Sequence, residues 1–98
     1  MENQHRKISG YRELSQEEID LMNEIKALGP QVESVILKVQ DHIAAQRKAV
    51  SVGDFVATEP EVQRLEDATP ERFAALAKTD FQTALMYLTR AVAQPTFF

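Results

Sequence analysis

Ser15 and Glu18 form a capping box ahead of Ile19, Met22 and Ile25, which recur every third residue with Leu21 and Leu28 flanking. In such a box each side chain satisfies an orphan backbone donor of a first helical turn. A helix therefore starts near Gln16, with one apolar stripe buried and Glu17, Glu18, Asp20 and Glu24 turned mostly to water. Gly29 and Pro30 read as its end, glycine as the C-terminal cap and proline opening the next element. On that reading Lys26 sits in the last turn, and Tyr11 lies outside the helix behind a short lead-in, Ser9-Gly10.

A second helix is expected from about Pro30 to about Val50, where Val32, Val35, Ile36, Val39 and Ile43 keep the helical spacing and Val50 closes the series. Its β-branched content points to packing rather than propensity as what holds it. From Ser51 to Ala68 the pattern decays, punctuated by Gly53 and Pro60, with a short helix over 59–66 suggested by a second capping box at Thr58 and Glu61. Thr69 and Pro70 read as N-cap and first position of a long third helix that Pro95 stops after Gln94. Phe73, Leu76, Ala77, Phe81, Ala84, Leu85, Leu88 and Val92 form its expected buried stripe, with the alanines permitting close approach to a neighbour.

The fold class that follows is all-α: a helical, hairpin-like subunit with one short and two long helices, the first being the short one. At 98 residues the chain has room for one domain, 1–98. Three helices with wide apolar faces leave surface that one copy cannot cover, so self-association into a compact symmetric oligomer is expected.

Composition excludes several chemistries. There is no cysteine, which removes disulfides and thiolate sites, and His5 and His42 are the two imidazoles, too few to anchor zinc without clustered carboxylates. Net charge is −4, with the basic residues Arg6, Lys7 and Arg12 near the start and six acids against Arg64 between Asp54 and Glu71. Long nucleic acid is a poor partner for such a chain, because non-specific affinity for DNA requires a broad basic face; a small anion needs only a few cations. With no long apolar run or cleavable signal, a soluble cytoplasmic protein without membrane contact is expected.

Tyr11 and Lys26 stand out as a pair. A tyrosine after Ser-Gly can lie flat on a base, and a lysine can place charge near phosphate. The plainer alternative packs Tyr11 beneath the first helix and sets Lys26 against that helix's negative end. From Ser15 to Lys26 the helix rises roughly 16 Å, so a ligand shared by Tyr11 and Lys26 would be shared across two subunits. Ser9-Gly10 can bring backbone amides to a phosphate or simply form a turn. Arg72 and Arg64 can meet anionic oxygen, although an i,i+4 partner or a nearby carboxylate accounts for either. No nucleophile, metal set or acid–base pair is placed as a catalytic constellation would be.

KISGYRELSQEEIDLMNEIKALG near the start and ALAKTDFQTALMYLTRAVAQPTFF at the end resemble the phage-encoded family called anti-CBASS protein two; the stretch from about Ser51 to Ala68 carries no such likeness. The resemblance implies an all-helical hexamer that sequesters cyclic oligonucleotide messengers of bacterial antiphage signalling without cleaving them, in the cytoplasm of the infected host. It implies cyclic dinucleotides such as cyclic GMP-AMP held between subunits, with bases stacked on Tyr11 and contacted by Lys26; Ser9 and Gly10 join that site on the reading that their backbone approaches a phosphate. It also implies a second pocket for cyclic trinucleotides that uses an arginine, Arg72 or else Arg64. No cofactor or metal is called for. The rival readings are a helical protein-interaction or structural module with no nucleotide ligand, and, with less support, a phosphodiesterase.

Overall fold

The computed structural model describes residues 12–53 and 55–97, apart from the side chains of 55–57. Its order is α1 (Gln16–Val52), α2 (Phe55–Ala68) and α3 (Pro70–Ala93), and the described residues hold no strand. The capping box at the start of α1 forms as expected: Glu18 N donates to Ser15 Oγ at 3.2 Å, and Ser15 N donates to Glu18 Oε1 at 2.8 Å.

The first helix does not stop at Gly29. α1 runs on through Pro30 to Val52, so the expected short first helix and the long second one are a single element of 37 residues, roughly 55 Å long at helical pitch. Proline lacks the N–H that would bond the carbonyl four residues back, and its ring crowds the N–H and Cβ of the preceding residue. Gly29 has no Cβ, so part of that second penalty is absent here. Packing supplies the rest. Ile19, Met22, Ile25, Gly29, Val32, Ile36, Gln40, Ile43, Arg47 and Val50 are all partly or fully buried, one unbroken stripe across the proline. A Cβ built at Gly29 would lie 3.8 Å from Leu85 Cδ1, so α3 passes over this position.

The short helix is α2 instead. It begins at Phe55, which puts Thr58 inside the helix rather than at its start. A single residue, Thr69, joins α2 to α3 in the left-handed conformation, φ 45°. Its side chain makes no cap, contrary to the expected N-cap role. Its backbone does that work in both directions: Thr69 N donates to Leu65 O at 3.1 Å, closing α2, and Thr69 O accepts from Arg72 N at 3.1 Å, opening α3. At the far end α3 stops at Gln94, also left-handed, with its N–H on Arg90 O.

α3 runs back antiparallel to α1, Ala74 near Ile43 and Leu85 near Gly29. The stripe facing α1 is rotated from the expected one. Ala74 is buried and Ala77, Leu85, Thr89 and Val92 are half-buried, whereas Phe73, Leu76, Phe81, Ala84 and Leu88 are exposed. Toward the start of α3 small residues thus make the hairpin contact, while Phe73, Leu76 and Phe81 stand outside. Val35 and Val39 on α1 are likewise exposed. Among the described residues the buried hydrophobic ones are Ile43, Leu65 and Ala74. The molecule measures 65 × 27 × 18 Å with a radius of gyration of 21.0 Å, against roughly 13 Å for a compact chain of this length.

Candidate functional site

Lys26 lies in the middle of α1, not in a last turn, so it has no helix terminus to neutralise and the plainer reading of it fails. It lines an open groove of about 420 Å³ between α1 and α3. The spacing explains its company: Met22, Ile25 and Gly29 lie three or four residues away on the same face, and Leu85, Met86 and Thr89 come from α3 opposite. The floor is therefore apolar, with Lys26 and Asn23 as its polar α1 residues. Lys26 is exposed and has no ion-pair or hydrogen-bond partner among the described residues. Chemically, such a groove can seat an apolar or aromatic body with an anionic group toward the lysine. Ser9, Gly10 and Tyr11 lie outside the described residues.

Arg72 is placed elsewhere, in the first turn of α3. From Arg72 to Leu85 along α3 is roughly 20 Å, so the structure does not bring Arg72 and Lys26 together. The expected carboxylate partner of Arg72 is not found among the described residues. Its guanidinium instead stands 5.3 Å from the centroid of the Phe73 ring, a cation–π contact. Arg64 pairs with Glu61 one turn earlier on α2 at 2.8 Å, as its spacing suggests. The pair is exposed, and the Glu61 carboxyl is pulled below its usual range by that hydrogen bond and by the charge of Arg64.

Two further arginines, neither singled out by spacing, organise the ends of the hairpin. Arg12 forks onto both carboxylate oxygens of Glu18 and donates to the carbonyls of Val92 and Ala93 at 2.7 and 2.9 Å. The Arg12 hydrogen bond first, and then the Ser15 amide, pull the Glu18 carboxyl down to about 2. Arg47 does the equivalent at the other end, binding Glu71 at 2.7 and 2.9 Å, the Leu65 carbonyl at 3.5 Å and Glu66 at 3.6 Å. Its hydrogen bond to Glu71 pulls that carboxyl to about 2 as well. Arg47 announces itself in one way: it is a charged residue in phase with Ile43 and Val50 on the buried stripe. Arg12 gives no such signal, because its carbonyl partners are some 80 residues away.

Among the described residues no group of three or more His, Asp or Glu side chains is placed to hold a metal ion, and no helix is long and apolar enough to cross a membrane.

Comparison with known proteins places this geometry. The chain is 43% identical to a protein named anti-CBASS protein 2 from Pseudomonas phage JBD67, over 97% of each chain. The family model described as "Acb2/Tad1, hairpin domain" matches residues 6–93, and so takes in the 51–68 stretch as well as both ends. A capped α1 folded back against α3 is a hairpin in the sense of that description, and the chain belongs to the Acb2/Tad1 hairpin-domain family.

Proposed function

We propose that this protein is a phage anti-defence sponge, which binds cyclic di- and trinucleotide messengers without cleaving them and so keeps CBASS effectors of the infected host from being activated. The observation that carries the reading is Lys26, exposed on the α1–α3 groove and without a partner among the described residues, in a chain whose relative is named for opposing CBASS. The groove's volume suits a small molecule. One of its sides is open, so burying a dinucleotide there calls for cover from outside the hairpin.

Tyr11 supplies part of that cover by stacking on a base, and a second copy supplies the rest. Lys26 then meets a phosphate or a base edge, and Ser9-Gly10 allows close approach of the backbone. Exposed apolar residues on the outer faces, including Val35, Phe73 and Phe81, support assembly of several copies, six by the family's pattern. Arg72, or else Arg64, serves a separate trinucleotide site. Sequestration requires only mass action: the messenger falls below the level its effector needs, provided the sponge is tight and abundant.

The test is calorimetric titration with cyclic GMP-AMP, followed by heat denaturation and chromatography of the released ligand. Tight binding near one ligand per two chains, with the ligand recovered whole, is the expected result. Tyr11→Ala should weaken binding roughly 5- to 150-fold, the range for loss of one stacked base, and Lys26→Ala should weaken it too, both with the oligomer intact. Cleaved ligand would make the protein an enzyme. Absence of binding would favour the second reading, a helical protein-interaction module whose exposed apolar faces meet another protein.

A further inference from the structure

Lys26, Glu33, Gln40 and Arg47 follow one another at seven-residue steps along α1, an interval that keeps side chains on nearly one face of a helix. They carry the groove onward. Beyond its Lys26 end, Glu33 and Gln40 line a cavity of about 220 Å³ with Lys78 of α3, and Gln40 and Arg47 line the next one with Glu71. The three openings thus form one row along the α1–α3 seam. Charges that flank a helical seam at such steps set which partner packs there and in which direction. Arg47 and Glu71 make one such pair within the chain, at 2.7 Å. Counting seven residues back on α1 and seven forward on α3 from that pair sets Lys78 opposite Gln40, and the next step sets Glu33 opposite Leu85. Glu33 and Lys78 are therefore out of register with each other by roughly 10 Å. Both are exposed, and neither has an ion-pair or hydrogen-bond partner among the described residues.

We propose that this stretch of the seam is a contact between two copies of the chain, in which Glu33 of each copy meets Lys78 of the other. The proposal deepens the assembly read above and rests on that reading, though not on any nucleotide. The charges favour a second copy over an unrelated protein. One carboxylate and one ammonium on opposite walls of a seam are complementary to themselves under a two-fold axis that runs midway between them, because the axis sets each over its opposite. Two pairs form at once, from residues that the register holds apart within one hairpin. Leu37, 52% exposed, and the half-buried Ile36 line the same cavity and are the apolar area that the contact covers. Exposed ion pairs add little to affinity, whereas like charges brought face to face penalise wrong orientations. The apolar area therefore holds the two copies, and the charges fix how they face.

Sedimentation velocity of Glu33→Lys and Lys78→Glu, without nucleotide, is the test. Each reversal alone sets like charges together twice in every contact, and should weaken association roughly 10- to 100-fold. In an equimolar mixture of the two variants each chain offers what the other lacks. The mixture should return to the wild-type size, with mixed oligomers above their statistical share in native mass spectrometry. Glu33→Gln and Lys78→Gln, which remove the attraction without adding repulsion, should weaken association less and leave helix content unchanged. A pair formed inside one chain would be repaired in the double variant Glu33→Lys/Lys78→Glu but not by mixing, and that result would overturn the proposal. Unchanged size in both reversals would do the same, as would loss of helix content in the neutral variants. A monomeric wild-type chain would leave the seam to a partner of different sequence and sink the contact between copies. Cyclic GMP-AMP binding, measured separately, can fail without altering any of these outcomes, so failure of the sponge reading is told apart from failure of the contact.

Discussion

Replacing Pro30 with alanine tests the continuity of α1 directly. Pro30 is an exposed interior residue of a 37-residue helix, so the substitution removes little packing. In a helix interior proline is about 3 kcal/mol less favourable than alanine. Its rigidity in the unfolded chain returns roughly 0.4–1 kcal/mol of that. The net expectation is a gain of about 2 kcal/mol, together with the hydrogen bond from residue 30 to the Lys26 carbonyl. For a domain of this size each kcal/mol moves the midpoint by roughly 4–8 °C, so Pro30→Ala should melt roughly 8–16 °C higher. The assay is circular dichroism of both proteins at one chain concentration, since association shifts midpoints by mass action. An unchanged or lowered midpoint would mean that proline opens a second helix at this point, as its position after glycine suggests from sequence, and that α1 is not one rod.

Glu18 and Glu71, each held at about 2 in the folded chain, have an unfolded value near 4.5. The folded state therefore binds fewer protons in this window; the stabilisation is complete above the unfolded value and is lost as pH falls through about 2. Urea midpoints should decline between those limits, and the decline should flatten in Arg12→Met and Arg47→Met. Both pairs are solvent-exposed, so about 1 M salt should also shrink it. At Gly53, a Cβ would stand 2.6 Å from Thr58 Cγ2 and 3.1 Å from the Ala49 carbonyl, so Gly53→Ala should destabilise the α1–α2 corner by roughly 1–3 kcal/mol, with Gly53→Ala in a Thr58→Ser background recovering part of the loss. Dilution over a hundredfold range should lower the melting midpoint, because few of the described hydrophobic residues are buried within one chain; a constant midpoint would make the hairpin self-sufficient.

Helix existence was legible because capping and spacing are local. Ser15 with Glu18 marked the start of α1 to the residue, and Pro95 marked the end of α3 within one. The false break at Gly29-Pro30 came from reading two local signals without the phase between them. Ile25, Gly29 and Val32 keep the helical interval across the proline, and an unbroken phase is what one helix packed along one partner requires. Thr69 shows a different limit: a threonine before proline looks like an N-cap, but a one-residue link between two helices forces left-handed backbone there. The candidate groove was half legible. Lys26 was visible as an odd residue, yet Leu85, Met86 and Thr89 reach it only through the antiparallel return of α3.

The rotated stripe on α3 has the widest consequence. Size and spacing favour Phe73, Leu76, Phe81 and Leu88 as core, whereas the hairpin turns Ala74 and Ala77 inward and leaves those four half-exposed. Alanines let two helices approach closely but remove little apolar area from water, and burial contributes roughly 25 cal/mol for each Å² removed. So arranged, the hairpin leaves Phe73, Leu76, Phe81 and Leu88 where a neighbour can cover them and add to stability. On the proposed reading that neighbour also walls the open side of the Lys26 groove, so stability and ligand affinity share one source. A ligand bound only by the assembled form then stabilises the assembly by about 2.7 kcal/mol at a hundred times its Kd. Substitution at Phe73, roughly 18 Å along α3 from the groove residue Leu85, should therefore weaken messenger binding by loosening the assembly, while Tyr11 and Lys26 substitutions should weaken it with the assembly whole.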